Sequence, residues 1–292
     1  MYKAIAANKR NTVLIMAVFV GLITAIGYAV SYFYGNTSIT FWILGGAILY
    51  ALIQYFAAGK LAVAMTGATQ IEKRDNPRLY RTVENLSITL GMPMPKVYII
   101  NDPAPNAFAT GRDPKHAIVA ATTGLLDIME DRELDAVMAH EMGHVQNYDI
   151  RVSMIAFGLV SAIGILSDIV LHTLFFGGNR RESNMHPAVL IVGIIVIILA
   201  PIIATIVQMA ISRQREYLAD ATGAMTTRDS SGMASALQKL LTYGKPMQKQ
   251  SSATAQLFIS NPLKSGFFAK LFSSHPPLEE RIKRLNENAD QF

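Results

Sequence analysis

His140, Glu141 and His144 form an H-E-x-x-H pattern near the middle of the 292-residue sequence. Residues four apart on an α-helix share one face, so the two imidazoles can bind one zinc ion. Glu141 then lies beside the metal, where it can take a proton from a zinc-activated water molecule. The pattern therefore predicts a hydrolytic zinc site with Glu141 as general base and acid.

The residues that precede this pattern predict the helix that positions it. Asp131 and Glu133 suit the first turn of a helix, because the helix dipole favours negative charge there. Leu134, Val137 and Met138 recur at helical spacing and predict a buried stripe. A surface helix with two solvated histidines is the alternative, and this context argues against it.

The composition indicates a membrane protein. Hydrophobic residues make up 51% of the chain and charged residues 16%, whereas soluble domains carry about 25% charged residues. The deficit is concentrated in four segments that reach the roughly 20 residues needed to cross a bilayer, namely 11–34, 39–59, 152–176 and 187–211. A buried core helix is the alternative for 152–176, because Asp168 would be costly at the bilayer centre.

The placement of basic residues predicts how these segments are oriented. Lys3 and Lys9 precede the first segment and several basic residues follow the second, whereas the connector 35–38 is uncharged. Because cytoplasmic loops are enriched in Lys and Arg, both ends of this first hairpin are expected in the cytoplasm. Arg180 and Arg181 do not fit this rule, and a second hairpin that does not fully cross would explain them.

Net charge and cysteine content restrict the partners. The charge of +5 fits attraction to an anionic lipid surface. The basic residues are scattered and form no nucleic-acid-binding motif, so no nucleic-acid partner is expected. The chain contains no cysteine, which excludes disulfides and zinc ligation by thiolates. The sequence does not specify an oligomeric state.

The predicted fold class is a mainly α membrane protein with a cytoplasmic α+β, zincin-like domain. Asn76-Pro77 predicts the start of a helix, and strands predicted at 96–100, 107–110 and 117–121 are expected to form a small antiparallel sheet. The expected domains in chain order are an N-terminal transmembrane hairpin, a first catalytic part, a second hairpin and a second catalytic part, at 1–59, 60–151, 152–211 and 212–292.

A catalytic zinc usually has three protein ligands and keeps one position for water. The candidates for the third ligand are Asp149, Glu182, His186, Glu216, Asp220 and His275. All ligands must lie on one side of the membrane. After the fourth segment the chain is back on the side of His144, so Glu216 and Asp220 are expected there. They share a helical face, so one carboxylate can bind zinc while the other accepts a hydrogen bond from a ligating histidine.

The ordered set of motifs resembles the HtpX-type membrane zinc metalloproteases, which are relatives of the CAAX prenyl proteases among the thermolysin-like, glutamate-liganded zinc peptidases. The resemblance rests on the first hairpin and on these residues and motifs: Asn106, Ala107, Phe108 and Ala109, H-E-x-x-H, Glu216-x-x-x-Asp220, and Ser274-His275-Pro276 before Arg281. It implies one Zn²⁺ per chain, held by His140, His144 and Glu216, with Asp220 supporting a ligating histidine.

The resemblance further implies an endopeptidase for misfolded or damaged membrane proteins in a bacterial inner membrane, with its site facing the cytoplasm. The expected partners are therefore the lipid bilayer and membrane-protein or unfolded polypeptide substrates. Residues 106–109 would belong to an edge strand that binds an extended substrate by strand addition, although an ordinary edge strand is equally consistent. His275 would donate to the developing oxyanion, or instead cap the helix that follows Pro276.

Two other classes of function remain as alternatives. The first is a non-catalytic membrane scaffold with a structural zinc site, which would need a fourth protein ligand. The second is a transporter or channel, which Asp168 and His172 within a predicted span would suggest. Against the scaffold, the sequence offers no well-placed fourth ligand, and the transporter or channel does not require the H-E-x-x-H pattern.

Overall fold

The computed structural model describes residues 2–156, 158, 162, 193, 213–249, 252–255, 257–261 and 276–289. Helices α1 (Tyr2–Tyr34) and α2 (Ser38–Thr66) open the chain and pack against each other. Both are long and apolar enough to cross a membrane. Large side chains on them are exposed, including Phe41 at 71% and Trp42 at 82%, as expected of a surface that faces lipid.

The first two predicted membrane segments lie within α1 and α2, which extend beyond them toward the rest of the protein. The predicted segments 152–176 and 187–211 lie outside the described residues, apart from 152–156 and three single positions. Residues 152–156 are helical and pack against Ile15, Phe19 and Ala58 of the first hairpin. The structure therefore contains two candidate membrane helices among the residues it describes.

The remaining described helices lie in the two predicted catalytic parts, 60–151 and 212–292. They are α3 (Pro77–Thr89), α4 (Thr123–Ile128), α5 (Asp131–Gln146), α6 (Arg213–Thr227), α7 (Ser230–Tyr243), α8 (Ser252–Ala255) and α9 (Leu278–Glu287). The predicted start of α3 is confirmed: the Asn76 side chain accepts a hydrogen bond of 2.9 Å from the Leu79 N–H, and Pro77 occupies the first helical position.

A four-stranded sheet lies between α2 and α5. Its strands are β1 (Thr69–Gln70), β2 (Lys96–Ile100), β3 (Ala107–Gly111) and β4 (Ala117–Thr122), in the spatial order β1-β2-β4-β3. The predicted strands are present, but the prediction of an antiparallel sheet was wrong because β2 and β4 run parallel. The sheet is mixed, with antiparallel pairing of β1 with β2 and of β3 with β4.

The loop after β2 explains why β4 enters between β2 and β3. This loop crosses the end of β4, where Asn106 N–H donates to Thr122 Oγ1 at 2.9 Å and that hydroxyl donates to the Ala104 carbonyl at 2.7 Å. The chain therefore reaches the far edge before it returns as β4. All six residues of β4 are buried, as is typical of a central strand covered on both faces.

Helix α5 lies at the centre of the helices α3–α9. It packs against β3 and β4 on one side and against α3, α6 and α7 on the others. The predicted stripe is confirmed, because Leu134, Val137 and Met138 are fully buried. α6 crosses α5 closely at Gly223, where a Cβ atom would lie 3.2 Å from the His140 backbone nitrogen. This close approach brings the carboxylates of α6 to the H-E-x-x-H face of α5.

Candidate metal centre and active site

Side chains from α5 and α6 converge on one point. His140 and His144 place their Nε2 atoms 3.2 Å apart, and Glu216 places carboxylate oxygens 3.9 and 3.5 Å from these two nitrogens. One potential ligand atom of each residue lies within 4.8 Å of the others. Among the described residues, this group has three members, which matches the ligand number of a catalytic zinc site.

The chemistry of these side chains fits a zinc ion. A carboxylate lies against the Nδ1 atom of each histidine: Asp220 Oδ1 at 2.9 Å from His140 and Asp149 Oδ2 at 3.1 Å from His144. These carboxylates accept from Nδ1 and direct both Nε2 atoms toward the same point, where a metal ion can replace the proton of His144. Two imidazoles with one carboxylate are ordinary zinc ligands.

A buried arginine supports Asp220 from the C-terminal helix. Arg281 on α9 donates from Nε to Asp220 Oδ2 at 2.8 Å and from Nη2 to Oδ1 at 2.6 Å. Its Nη1 atom lies 3.7 Å from Glu216 Oε2. Burial acts to raise the pKa of Asp220, but the Arg281 charge and the hydrogen bonds from His140 and Arg281 lower it to about 2. Asp220 is therefore a charged acceptor for His140.

Sequence reasoning assigned no role to Arg281, although a signal was available. Leu278, Ile282 and Leu285 recur at helical spacing in the sequence, and Arg281 lies on the same face of α9. A charged residue within a buried stripe needs a buried partner of opposite charge. Arg281 has no solvent exposure, and Asp220 is that partner.

Glu141 is buried where α5 packs against β3. It is 2% exposed, and its carboxylate accepts a hydrogen bond from the backbone N–H of Ala109 on β3. Burial raises the pKa of Glu141 to about 7, and the neighbouring charge of Glu216 acts in the same direction. A carboxyl group with this pKa can both accept and return a proton near neutral pH.

The two histidines differ in their affinity for protons. Burial and the nearby Arg281 charge lower the pKa of His140 to about 4, despite its hydrogen bond to Asp220. Burial also acts to lower the pKa of His144, but the hydrogen bond to Asp149 and the charges of Glu216 and Asp149 outweigh it and raise the pKa to about 9. In the metal-free protein, His144 therefore carries the proton that a metal ion would replace.

The predicted substrate-binding residues lie at the start of β3, on an edge that is already paired. Ile259 N–H donates to the Ala107 carbonyl at 2.9 Å. The Asn106 side chain donates to the Ser260 carbonyl at 2.8 Å and accepts from the Ser260 N–H at 3.2 Å. Phe108 stacks edge-to-face on Phe258, with ring centroids 5.2 Å apart. Residues 257–260, the paired segment, therefore occupy this edge through one isolated bridge, Phe108 with Phe258, and the contacts of Ala107 and Asn106.

The other predicted candidates divide into two groups. Asp149, a candidate third ligand, lies against the Nδ1 side of His144, away from the Nε2 side that faces Glu216. His275, Glu182 and His186 lie outside the described residues.

The fold and the site define the class of metallopeptidases in which an H-E-x-x-H helix is crossed by an E-x-x-x-D helix. The model of peptidase family M48 matches residues 73–289. A protease HtpX homolog of Tropheryma whipplei (strain Twist) is 60% identical over 292 residues, which is 100% of both chains. A protease HtpX homolog of Streptococcus gordonii is 43% identical over 301 residues, which covers 98% of this chain and 99% of that protein.

The chain belongs to peptidase family M48 and is a metalloprotease. The resemblance to HtpX-type proteases is confirmed. The crystal structure of S. mikatae Ste24p has a similar fold, with a TM-score of 0.54 at 19% identity, and the match covers 98% of this chain and 67% of that one.

Proposed function

We propose that this metalloprotease is a membrane-integrated zinc endopeptidase that cleaves misfolded or damaged membrane proteins. The observation that carries the proposal is the convergence of His140, His144 and Glu216 beside Glu141. Bound zinc supplies Lewis acidity, which activates a water molecule and polarises the scissile carbonyl. A closed structural site would need a fourth protein ligand, and the described residues supply three.

Glu141 performs the proton transfers in this proposal. Its carboxylate accepts a proton from the attacking water and returns it to the nitrogen of the leaving amine. The Ala109 N–H orients this carboxylate. Asp220 and Asp149 keep the two histidines in the tautomer that presents Nε2. His275 completes the proposal as the donor to the developing oxyanion, a role that rests on the family resemblance.

The substrate is proposed to bind along Asn106, Ala107, Phe108 and Ala109 as an added strand. β3 is an edge strand, and its Ala109 N–H reaches the catalytic glutamate, so a peptide on this edge would pass the reactive groups. The paired segment 257–260 uses the same edge groups. A substrate can pair with Ala107 only after this segment moves away. Such binding selects extended, unfolded polypeptides over folded ones.

The proposed location is a bacterial inner membrane, with several spans and the active site facing the cytoplasm. Because the chain has no cysteine, single-cysteine variants can report the side of each position. Thr37 at the hairpin tip and Lys115 before β4 are both exposed. A membrane-impermeant thiol reagent should label Thr37→Cys in cells whose outer membrane alone is opened. Lys115→Cys should react only after the inner membrane is opened, and the reverse pattern would reject this orientation.

The function is tested by adding zinc to the metal-free protein in detergent and following cleavage of an unfolded membrane protein. Wild-type protein should bind one zinc ion and then cleave. Glu216→Ala should lose both zinc and cleavage, because it removes one of three ligands. Tight zinc binding without cleavage of any of several unfolded substrates would instead support the scaffold function.

A further inference from the structure

A turn after α5 connects the metal centre to the first membrane helix. α5 ends at Gln146, and another helical stretch begins at Asp149 after two turn residues. The second of these, Tyr148, has a φ angle of 61°, in the left-handed region that bulky residues rarely adopt. Such a backbone persists only where surrounding contacts hold it. Several of the contacts at this turn come from α1.

Asn8 on α1 holds both sides of this turn. Its side-chain amide donates to the Asn147 carbonyl at 2.8 Å and to Asp149 Oδ1 at 2.6 Å. Asn8 is 3% exposed and Asp149 5%, so a lost partner would leave a buried polar group unpaired. The next residue, Lys9, places its ammonium 4.5 Å from the centroid of the Tyr148 ring, a cation–π contact with the same turn.

The turn also places the second carboxylate oxygen of Asp149, Oδ2, against His144, a proposed zinc ligand. Asp149 Oδ2 lies 3.1 Å from His144 Nδ1, whereas Oδ1 receives the Asn8 amide. Arg215 approaches the same Oδ1 atom, with its Nε at 3.6 Å. A carboxylate against Nδ1 fixes the orientation of an imidazole and increases its strength as a ligand. Asp149 thus supports His144 in the way that Asp220 supports His140.

We infer that Asp149 is a positioning residue for His144 and that Asn8 makes helix α1 part of the metal centre. The inference rests on the proposed zinc site, but it concerns how a ligand is held. The family match begins at residue 73, so Asn8 lies outside the matched region. Helix α1 then has two roles, as a membrane anchor and as a support for His144. Loss of its contact weakens zinc binding even when all three ligands are present.

The test measures zinc affinity of the full-length protein in detergent by competition with a chromogenic chelator. Asp149→Asn should weaken binding by about 10- to 100-fold, the usual effect of removing a partner of a metal ligand. Asn8→Leu should weaken it by about tenfold. Asn11→Leu makes the same change three residues further along α1, at a position that is partly exposed, and should leave the affinity unchanged. Wild-type affinity in Asn8→Leu, or an equal loss in Asn11→Leu, would overturn the inference.

A double-mutant cycle separates positioning from a general effect on the fold. If Asn8 acts through Asp149, Asn8→Leu should cause little further loss in the Asp149→Asn background. The same loss in both backgrounds would mean that Asn8 acts elsewhere, and would overturn the inference. Where Asn8→Leu does not fold, Asn8→Gln replaces it, because it keeps the amide but moves it out of reach.

Zinc affinity is measured without any cleavage assay, so this experiment is independent of the proposed reaction. A protein that binds zinc with this pattern of losses but cleaves no substrate would contradict the proposed function and support the inference. If the wild-type protein cleaves its substrate but Asn8→Leu binds zinc as wild type does, the proposed function is supported and the inference is contradicted.

Discussion

Arg281 donates two hydrogen bonds to Asp220, at 2.8 and 2.6 Å, and both residues are buried. Asp220 also lies 2.9 Å from His140 Nδ1, so α9 takes part in holding a proposed zinc ligand that is 141 residues away in the sequence. The pair thus connects the C-terminal helix to the metal centre.

Replacing Arg281 by methionine should strongly destabilise the protein. The change leaves Asp220 charged and buried without its main partner, which typically costs about 3–5 kcal/mol. Urea unfolding of the metal-free protein in detergent measures the free energy of unfolding of each variant. The control is Lys283→Met on the same helix, with a side chain that is 72% exposed, and it should change stability by less than about 0.5 kcal/mol. Equal stability of the two variants would contradict this role for Arg281.

Zinc binding near neutral pH should release protons. The pKa of His144 is raised to about 9 in the metal-free protein, so His144 is protonated below that pH and must become neutral to bind zinc. Zinc affinity should therefore increase as the pH rises toward about 9 and change less above it. Calorimetric titrations of the protein with zinc, in buffers with different ionisation enthalpies, give the number of protons released per zinc ion bound. Binding at about pH 7.5 without proton release would contradict the proposed state of His144.

Loosening the paired segment should favour substrate binding. Ile259→Pro removes the N–H that donates to Ala107, so the segment should leave the β3 edge more easily. The KM for an unfolded polypeptide should fall by about fivefold, which corresponds to one hydrogen bond of about 1 kcal/mol. Ile259→Ala is the control, because it shortens the side chain but keeps the N–H. A KM that rises in Ile259→Pro, or equal KM values in the two variants, would show that the segment does not compete with substrate.

Local sequence signals predicted the parts of this protein that depend on neighbouring residues. The start of α3 follows from a side-chain cap and a proline within a few positions, and the buried stripe of α5 follows from helical spacing. Helical spacing and the predicted membrane topology restricted the third ligand to Glu216 or Asp220, and the family resemblance implied Glu216, which lies beside His140 and His144 in the structure.

The features that could not be predicted depend on contacts between distant residues. The strand order is set by the loop at Asn106, whose bonds to Thr122 place β4 in the centre of the sheet. The contacts of Asp149 with Asn8 and of Asn106 with Ser260 join residues 141 and 154 positions apart, and no local pattern records them. Each depends on how whole helices and loops pack, which propensity and periodicity do not determine.

The most direct test of the proposed mechanism is the Glu141→Gln variant, purified without metal and supplied with one equivalent of zinc. The three proposed ligands remain in this variant, so it should bind zinc as wild type does. It should not cleave an unfolded membrane-protein substrate that the wild-type protein cleaves, because glutamine cannot accept the proton of the attacking water. Cleavage at the wild-type rate by the folded, zinc-loaded variant would contradict the role of Glu141 and the mechanism built on it.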